Sequence, residues 1–519
     1  MSEAVVAAPG TILGQPRGLW LLFFVEMWER FSFYGMRALL IFYLTQHFLF
    51  GDAAASAIYA SYGSLVYLMP LLGGLIADRY LGFRKAVGFG AVLLCIGHFG
   101  MAIEGDAAQV SADGVARDPV SLQIFYASLA FIIIGVGFLK PNISSMVGQL
   151  YGKDDPRRDG GFTYFYMGIN LGAMLASSIV GYLGQTFGWA YGFGLAGVGM
   201  LAGLITFRRG IHLLGDAGLP SDAKRLTEVG AAGLTRERLI YGASLVGVVV
   251  VWRLVQSHEV VGGLLLVAAA VTVVGVIGFA VLRLPPIERD RMLVVLFLTA
   301  VSVVFWAFFE QAGSSMNLFA ERNVDRHVFG LDIQATQFQS LNPAFILLLG
   351  PVFSLLWVVL ARRGREPSTP AKFGMGVLQV GLGFAALVYG AQQADSSGLV
   401  AAGWLALAYL LHTTGELCLS PVGLSMVTKL SVPRVVGLMM GVWFLSSAFS
   451  HYVAGLIAAG ASANETPGAT VGGAESLSIY VATFGSVAWV AVAVGVVVLL
   501  FAPFIRRFMH EPARGGERR

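Results

Sequence analysis

The stretch Glu26–Arg37 reads EMWERFSFYGMR and is set between LWLLFFV and ALLIFYL, two strongly apolar runs. Four ionisable side chains, Glu26, Glu29, Arg30 and Arg37, therefore sit inside a segment long enough to cross a bilayer. A charge at the middle of a membrane helix costs about 2.5–3.5 kcal/mol on the most lenient scale, so such residues face a cavity or a partner, not lipid. On a helix, Glu26, Glu29, Arg30, Phe33, Tyr34 and Arg37 share an arc of roughly 140°. Glu26 and Arg30 form an i,i+4 pair on that face. Arg37 has Phe33 at i−4 and no acid within its own turn.

The rest of the chain has the same character. Its 519 residues are 56% hydrophobic and 12% charged, with a mean hydropathy of +0.74. A soluble domain carries about 25% charged residues, so this is an all-α polytopic membrane protein. The 66 glycines agree, because small residues let membrane helices approach closely. The first 16 residues lack a basic region followed by an apolar one, so no cleavable signal peptide is expected. Cys95 and Cys418 stand alone in apolar runs, which predicts buried packing and neither a disulfide framework nor a metal site. The net charge of +4 follows membrane topology and is no sign of nucleic acid. GFGLAG, from Gly192 to Gly197, follows no strand and reads as a packing surface, not a nucleotide site. His98, His412 and His451 have no metal-spaced companions and read as core or interface histidines. No P-loop, H-E-x-x-H or nucleophile elbow is present, which argues against an enzyme.

A span needs about 20 predominantly apolar residues. Fourteen follow, at 17–49, 54–81, 84–103, 120–151, 160–187, 189–209, 236–256, 259–283, 290–320, 331–361, 371–392, 398–429, 434–461 and 475–507. With the N-terminus inside, the inner segments hold 27 of the 34 basic residues and the outer loops four, Arg117, Arg253, Arg322 and Arg326. The other three, Arg30, Arg37 and Lys140, fall within spans. By the positive-inside rule both termini are cytoplasmic.

A repeat divides the chain. PNISSMVGQL from Pro141 and PVGLSMVTKL from Pro421 share P-x-x-x-S-M-V-x-x-L at an offset of 280 residues. The same offset, within one residue, lays Glu29–Arg30 over Glu310–Gln311. Two matches in register indicate a parallel duplication of six-span halves. Spans seven and eight are almost purely aliphatic and are then an insertion facing lipid. The expected organisation is an N-terminal six-helix bundle at 17–209, a cytoplasmic linker at 210–235, two inserted helices at 236–283, a C-terminal six-helix bundle at 290–507 and a cytoplasmic tail at 508–519.

Lys140, Glu310 and Glu416 are the other ionisable residues deep in apolar runs. Arg37 and Lys140 are cations of the first half, and Glu310 and Glu416 anions of the second. Pairing between them would neutralise all four and would break when a carboxylate takes up a proton, a device suited to proton-coupled transport. Asn170 and Asn342 read either as interhelical glue or as ligand contacts. Tyr34, Tyr67 and Tyr166 offer hydroxyls, and Trp306 and Trp443 offer walls, against the alternative of plain packing. Pro141, Pro343 and Pro421 predict bends.

These motifs carry a resemblance. EMWERFSFYG, GGLIADRYLGFRK, GFLKPN, FYMGINLGA, FWAFFEQ and GELCLSPVGLS together resemble the proton-dependent oligopeptide transporter family of the major facilitator superfamily, prokaryotic type, over almost the whole chain. The resemblance implies a major facilitator fold with two inserted helices, in a bacterial cytoplasmic membrane. It implies symport of di- and tripeptides with protons by alternating access, with the proton as coupling ion, no other cofactor and a functional monomer. Glu26, Glu29, Arg30 and Glu310 match its proton-coupling positions. Arg37, Tyr34 and Lys140 match the side that meets the peptide carboxylate, and Asn170, Asn342 and Glu416 the side that meets the amine. Ser420 lies one turn beyond Glu416, and Tyr67, Tyr166, Trp306 and Trp443 complete the expected lining. Arg37–Glu310 and Lys140–Glu416 are the expected gating pairs, and Asp78 and Arg79 match the loop motif that steadies one conformation. Phe33 departs from the family by replacing a tyrosine found in many members. The competing expectations are a carrier of nitrate, an amino acid or a drug on the same fold, and a proton channel or membrane enzyme.

Overall fold

Twelve helices among the described residues are long and apolar enough to cross a bilayer. The computed structural model describes residues 10–510 apart from 113, 153, 221, 230–232 and 464–472. The start of the chain and the part of the expected tail at 511–519 lie outside them. In chain order the α-helices are α1 (Arg17–Phe42), α2 (Asp52–Ile76), α3 (Phe83–Met101), α4 (Pro119–Gln149), α5 (Arg158–Leu175), α6 (Gly181–Phe187), α7 (Trp189–Gly210) and α8 (Ala223–Thr227). They continue as α9 (Arg236–Val255), α10 (His258–Arg283), α11 (Pro286–Phe309), α12 (Ser315–Asn323), α13 (Leu341–Arg362), α14 (Thr369–Ala391), α15 (Ala402–Leu430), α16 (Val436–Gly460) and α17 (Gly473–Phe508). Among the described residues, strand pairing consists of short two-stranded ladders outside the long helices and one isolated bridge, Val229 with Thr235.

Two long helices, α1 and α15, are missing from the twelve, and with 26 and 29 residues both are long enough to span. The interior charges of α1 cost it the apolar signal that marks the others. Counting both gives the expected fourteen spans. Some spans are composite. The segment 158–187 is α5 and α6 joined by a π-helical turn at Ala176–Val180, and 286–323 is α11 and α12 joined by a 3-10 turn at Glu310–Gly313. The fifth and sixth spans are joined at a single residue, Gly188, whose φ of 123° is closed to side chains with a Cβ. Pro141 and Pro421 lie inside helices as expected. Pro343 is inside its span too, in the first turn of α13 just after the 3-10 turn at Ala335–Ser340, where the helix changes type. Pro351 is the interior proline of that helix.

By contacts the chain forms two compact units. Unit 1 comprises residues up to Arg37, Leu68–Gly105 and Pro119–Arg253; unit 2 comprises Ala38–Tyr67, Asp106–Asp118 and Leu254 onward. The sequence repeat and the contact units divide the chain differently, because α1 and α2 each change unit midway. In unit 1, α3 packs along α4 and α7, with Gly197 of α7 against the Phe99 ring, where a Cβ would come within 2.8 Å. The GFGLAG segment is thus a packing surface. In unit 2, α14 is wedged between α15 and α17. Gly376 and Gly415 face each other there, and a Cβ on Gly415 would sit 2.8 Å from the Gly376 carbonyl oxygen. Cys95 and Cys418 are buried and unbridged. The inserted helices α9 and α10 leave most of their apolar stretch unburied, in the manner of lipid-facing helices.

Unit 2 also holds a charge pair that topology counting had placed in a loop. Arg322, in the last turn of α12, grips Asp52 with two hydrogen bonds of 2.5 and 2.8 Å. Its guanidinium also donates to the buried Tyr480 hydroxyl, and Asp52 accepts from the Ala463 backbone. Removing one member of a buried pair strands the other charge, at a cost of about 3–5 kcal/mol. Arg322 is part-exposed, so Arg322→Met should lose about 3 kcal/mol in unfolding assays in detergent, and Asp52→Asn in the same chain should recover much of it. Wild-type stability in Arg322→Met would show that the pair is idle.

Candidate functional site

Five of the candidate side chains of unit 1, Glu26, Glu29, Arg30, Tyr34 and Arg37, lie on α1. Glu26, Glu29 and Arg30 are all buried. The Arg30 Nε lies 3.1 Å from Glu26 Oε1 and 2.5 Å from Glu29 Oε2, so one cation serves two anions. A lone charge would not survive in this setting, but a fixed counter-charge restores most of the lost solvation. The Phe33 ring lies under the same guanidinium, 5.2 Å from Cζ, and the Tyr34 ring at 6.0 Å. Phenylalanine at 33 therefore keeps the cation–π contact that a tyrosine would make. Tyr34 and Arg37, one turn further on, are only half-buried.

Lys140 comes to this cluster from α4. It precedes Pro141, which cannot donate to the Gly137 carbonyl four residues back. Asn142 anchors the bend by donating to the Phe138 carbonyl at 2.7 Å and facing the Gly73 carbonyl of α2. Lys140 lies within electrostatic reach of Glu26, Glu29, Arg30 and Arg37. Counted together, those five side chains carry three positive and two negative charges. Asn170 is buried on α5 and donates back to the Tyr166 carbonyl at 3.0 Å, which leaves its own carbonyl oxygen for another donor. Tyr166 itself is exposed.

The charged candidates of unit 2, Glu310 and Glu416, are both acidic. Asn342, near the start of α13, donates to Glu416 Oε2 and to Thr413 Oγ1, both at 3.0 Å. Thr413 in turn donates to the Tyr409 carbonyl. The carboxylate of Glu416 is so held in one orientation by an amide that is itself held. The backbone closeness of Gly376 and Gly415 seats this part of α15 against α14. Ser420 lies one turn on and is half-buried, as are Tyr67, Trp306 and Trp443. Trp306 packs on Phe305 and Phe309, and Trp443 covers Gly423.

Glu310 opens the 3-10 turn between α11 and α12 and is buried. The adjacent Gln311 is fully buried and uses its whole amide: Nε2 donates to the carbonyls of Ala307 and Ala454, and Oε1 accepts from Ser315. Across from Glu310 stands His451 of α16, with Nε2 3.7 Å from Glu310 Oε1. His451 is buried, as expected of a core or interface histidine, and this contact gives it a carboxylate neighbour. His98 and His412 are deeply buried, and His412 lies against the Phe384 ring.

The expected site thus falls into two sets. Glu26, Glu29, Arg30, Tyr34, Arg37, Lys140, Tyr166 and Asn170 belong to unit 1; Tyr67, Trp306, Glu310, Asn342, Glu416, Ser420 and Trp443 belong to unit 2. Asp78 and Arg79 are exposed on a π-helical turn, Ala77–Leu81. Just beyond it, Arg84 donates to the carbonyls of Ala217 and Gly215, Gln149 accepts from the Gly218 N–H, and Lys85 pairs with Glu237 at 2.7 Å. These bonds fasten the linker to the loop motif. Arg84, Gln149 and Gln311 all fall within motifs or repeats that the sequence singles out, but none of those patterns assigns them these partners.

A helical protein with many apolar spans and buried charge clusters within them has the build of a membrane carrier. The POT family model matches residues 84–471. The peptide transporter YePEPT of Yersinia enterocolitica subsp. palearctica is 39% identical over 470 residues, which cover 86% of this chain and 88% of that protein. The di-/tripeptide transporter of Lactococcus lactis subsp. lactis is 35% identical over 463 residues, 85% of this chain and 89% of that one. Among solved structures, peptide transporter POT in complex with sulfate matches with a TM-score of 0.81 at 34% identity, over 97% of this chain and 98% of the other. The chain belongs to the POT family, and its fold is of the major facilitator type.

Proposed function

We propose that this protein is a symporter that takes up di- and tripeptides together with protons by alternating access. The observation that carries the reading is membership of the POT family over nearly the full length, among relatives named as peptide and di-/tripeptide transporters. The charge sets of the two units support it. A peptide is a zwitterion, and the cationic set of Arg37 and Lys140, with Tyr34, suits its carboxylate. Glu416 oriented by Asn342, with Asn170, suits its amine. Tyr67, Tyr166, Trp306, Ser420 and Trp443 supply contacts along the backbone and side chains of the peptide.

Glu26, Glu29, Arg30 and Glu310 handle the proton. Protonation of Glu310 discharges its attraction for Arg37, and loading of the peptide amine onto Glu416 competes with Lys140. Both events favour exchange between the outward-open and inward-open states of the bundles at 17–209 and 290–507. No cofactor other than the proton enters the cycle, no covalent chemistry takes place, and one copy suffices. The protein resides in the bacterial cytoplasmic membrane, with both termini cytoplasmic and Asp78 and Arg79 on the inner face.

Proteoliposomes loaded at pH 7.5 and diluted to pH 6.0 test the proposal. Labelled dialanine should accumulate inside, and a protonophore should abolish the accumulation. Uptake of free alanine or nitrate in place of dialanine would overturn it.

A further inference from the structure

We infer that His451 shares the coupling proton with Glu310, and so serves as the acceptor in the proton step. The inference rests on the symport reading and adds a residue to it. Both side chains are buried, and Nε2 stands 3.7 Å from Oε1. This is beyond a direct hydrogen bond, but a carboxyl movement of about 1 Å closes it, and such contacts are commonly long before substrate arrives.

The imidazole occupies a made slot. The Tyr67 ring lies 4.6 Å from it on one side of α2. One turn earlier on that helix is Gly63, where a Cβ would come within 2.7 Å of Nδ1. Any side chain at 63 would push the ring away. The partner is fixed just as firmly, since Gln311 ties the Glu310 turn to the Ala454 carbonyl, three residues after His451 on α16. The two titratable groups are thus kept in register by a bond that neither of them makes.

The charged surroundings explain the need. Glu416 of α15 is a second buried carboxylate within electrostatic reach of Glu310. His412, also on α15, is turned toward Phe309 and Phe384. On α11 the remaining ionisable residues, Glu288, Arg289, Asp290 and Arg291, lie in the first two turns. On α10, His258, Glu259 and Arg283 lie at the two ends.

In the proton step the Glu310 O–H bond breaks with its electron pair left on oxygen, and the Nε2 lone pair takes the proton. The pair remains neutral overall while Glu310 becomes a carboxylate. When the proton departs, the pair carries one negative charge. The imidazole thereby lets Glu310 and Glu416 be ionised together while a peptide amine is held.

The variants His451→Gln and His451→Asn are measured in proteoliposomes for proton-driven dialanine uptake and for counterflow, the exchange of labelled for unlabelled peptide. The ratio of driven uptake to counterflow should fall about tenfold in both, with a changed pH profile of driven uptake. An unchanged ratio and profile would overturn the assignment, and so would a parallel loss of both activities, which a purely structural histidine produces. A second reading needs no substrate. With ¹⁵N-histidine-labelled protein in nanodiscs and the His451 signal identified by its loss in His451→Gln, the His451 titration curve should move in Glu310→Gln. A curve that stays in place would overturn the pairing whatever the protein carries. Absence of dialanine uptake by the wild type would instead sink the symport reading.

Discussion

Glu416→Gln is expected to reduce proton-driven dialanine uptake about 100-fold, with the protein folded. Glutamine fills the same space, and its amide oxygen can still accept from Asn342, which also donates to Thr413, itself bonded to the Tyr409 carbonyl. What disappears is the charge that faces an ammonium. A charge-assisted hydrogen bond in a site shielded from water contributes about 1.5–3 kcal/mol, and each 1.4 kcal/mol is about tenfold. The discriminating comparison uses N-acetyl-dialanine, which has no ammonium group. The wild type should prefer dialanine strongly, and Glu416→Gln should treat the two nearly alike. A preference that survives the substitution would remove Glu416 from the amine site.

Arg30→Met is expected to fail twice, in coupling and in stability. Arg30 is the shared counter-ion of Glu26 and Glu29, and all three are buried. Without it two carboxylates lie a single turn apart with Lys140 as the remaining cation from α4. Breaking a buried ionic group in this way costs about 3–5 kcal/mol, so expression and thermal stability should drop along with uptake. The triple variant Glu26→Gln, Glu29→Gln, Arg30→Met separates the two losses. Replacing a whole buried ionic group by neutral residues of similar size is often neutral or stabilising, so the triple variant should recover stability. Its proton-driven uptake should remain below one-hundredth of wild type. Uptake restored together with stability would mean that the cluster only holds the helix in place.

Much of this was legible in the sequence because the bilayer leaves so few options. Spans declare themselves by length and apolarity, and the charged face of α1 declared itself by contrast with the residues around it. The identities of the candidate site residues also came from sequence, through motifs as specific as E-x-x-E-R. What sequence could not supply was partnership. Gln311 and the Ala454 carbonyl are 143 positions apart, and no periodicity links them. His451 looked bland because its relevant neighbour stands on another helix. Arg322 looked like a loop charge because α12 extends the ninth span of the chain further than apolarity alone suggests. Pro343 reads as mid-span because the 3-10 turn at Ala335–Ser340 runs straight into α13, and sequence does not show where the helix changes type.

The pair α9 and α10 has a consequence for parity. Each crossing moves the chain to the other face of the membrane, so an even insertion returns it to the face from which it left. The second six-helix set therefore enters in the same sense as the first, and a parallel duplication stays parallel. Loss of both helices would preserve that sense. Loss of one would invert every later span and carry the arginines after α11, which include Arg362, Arg363 and Arg365, to the opposite side against the charge bias of the loops. The insertion is thus free in sequence and lipid contact, but its count is not free.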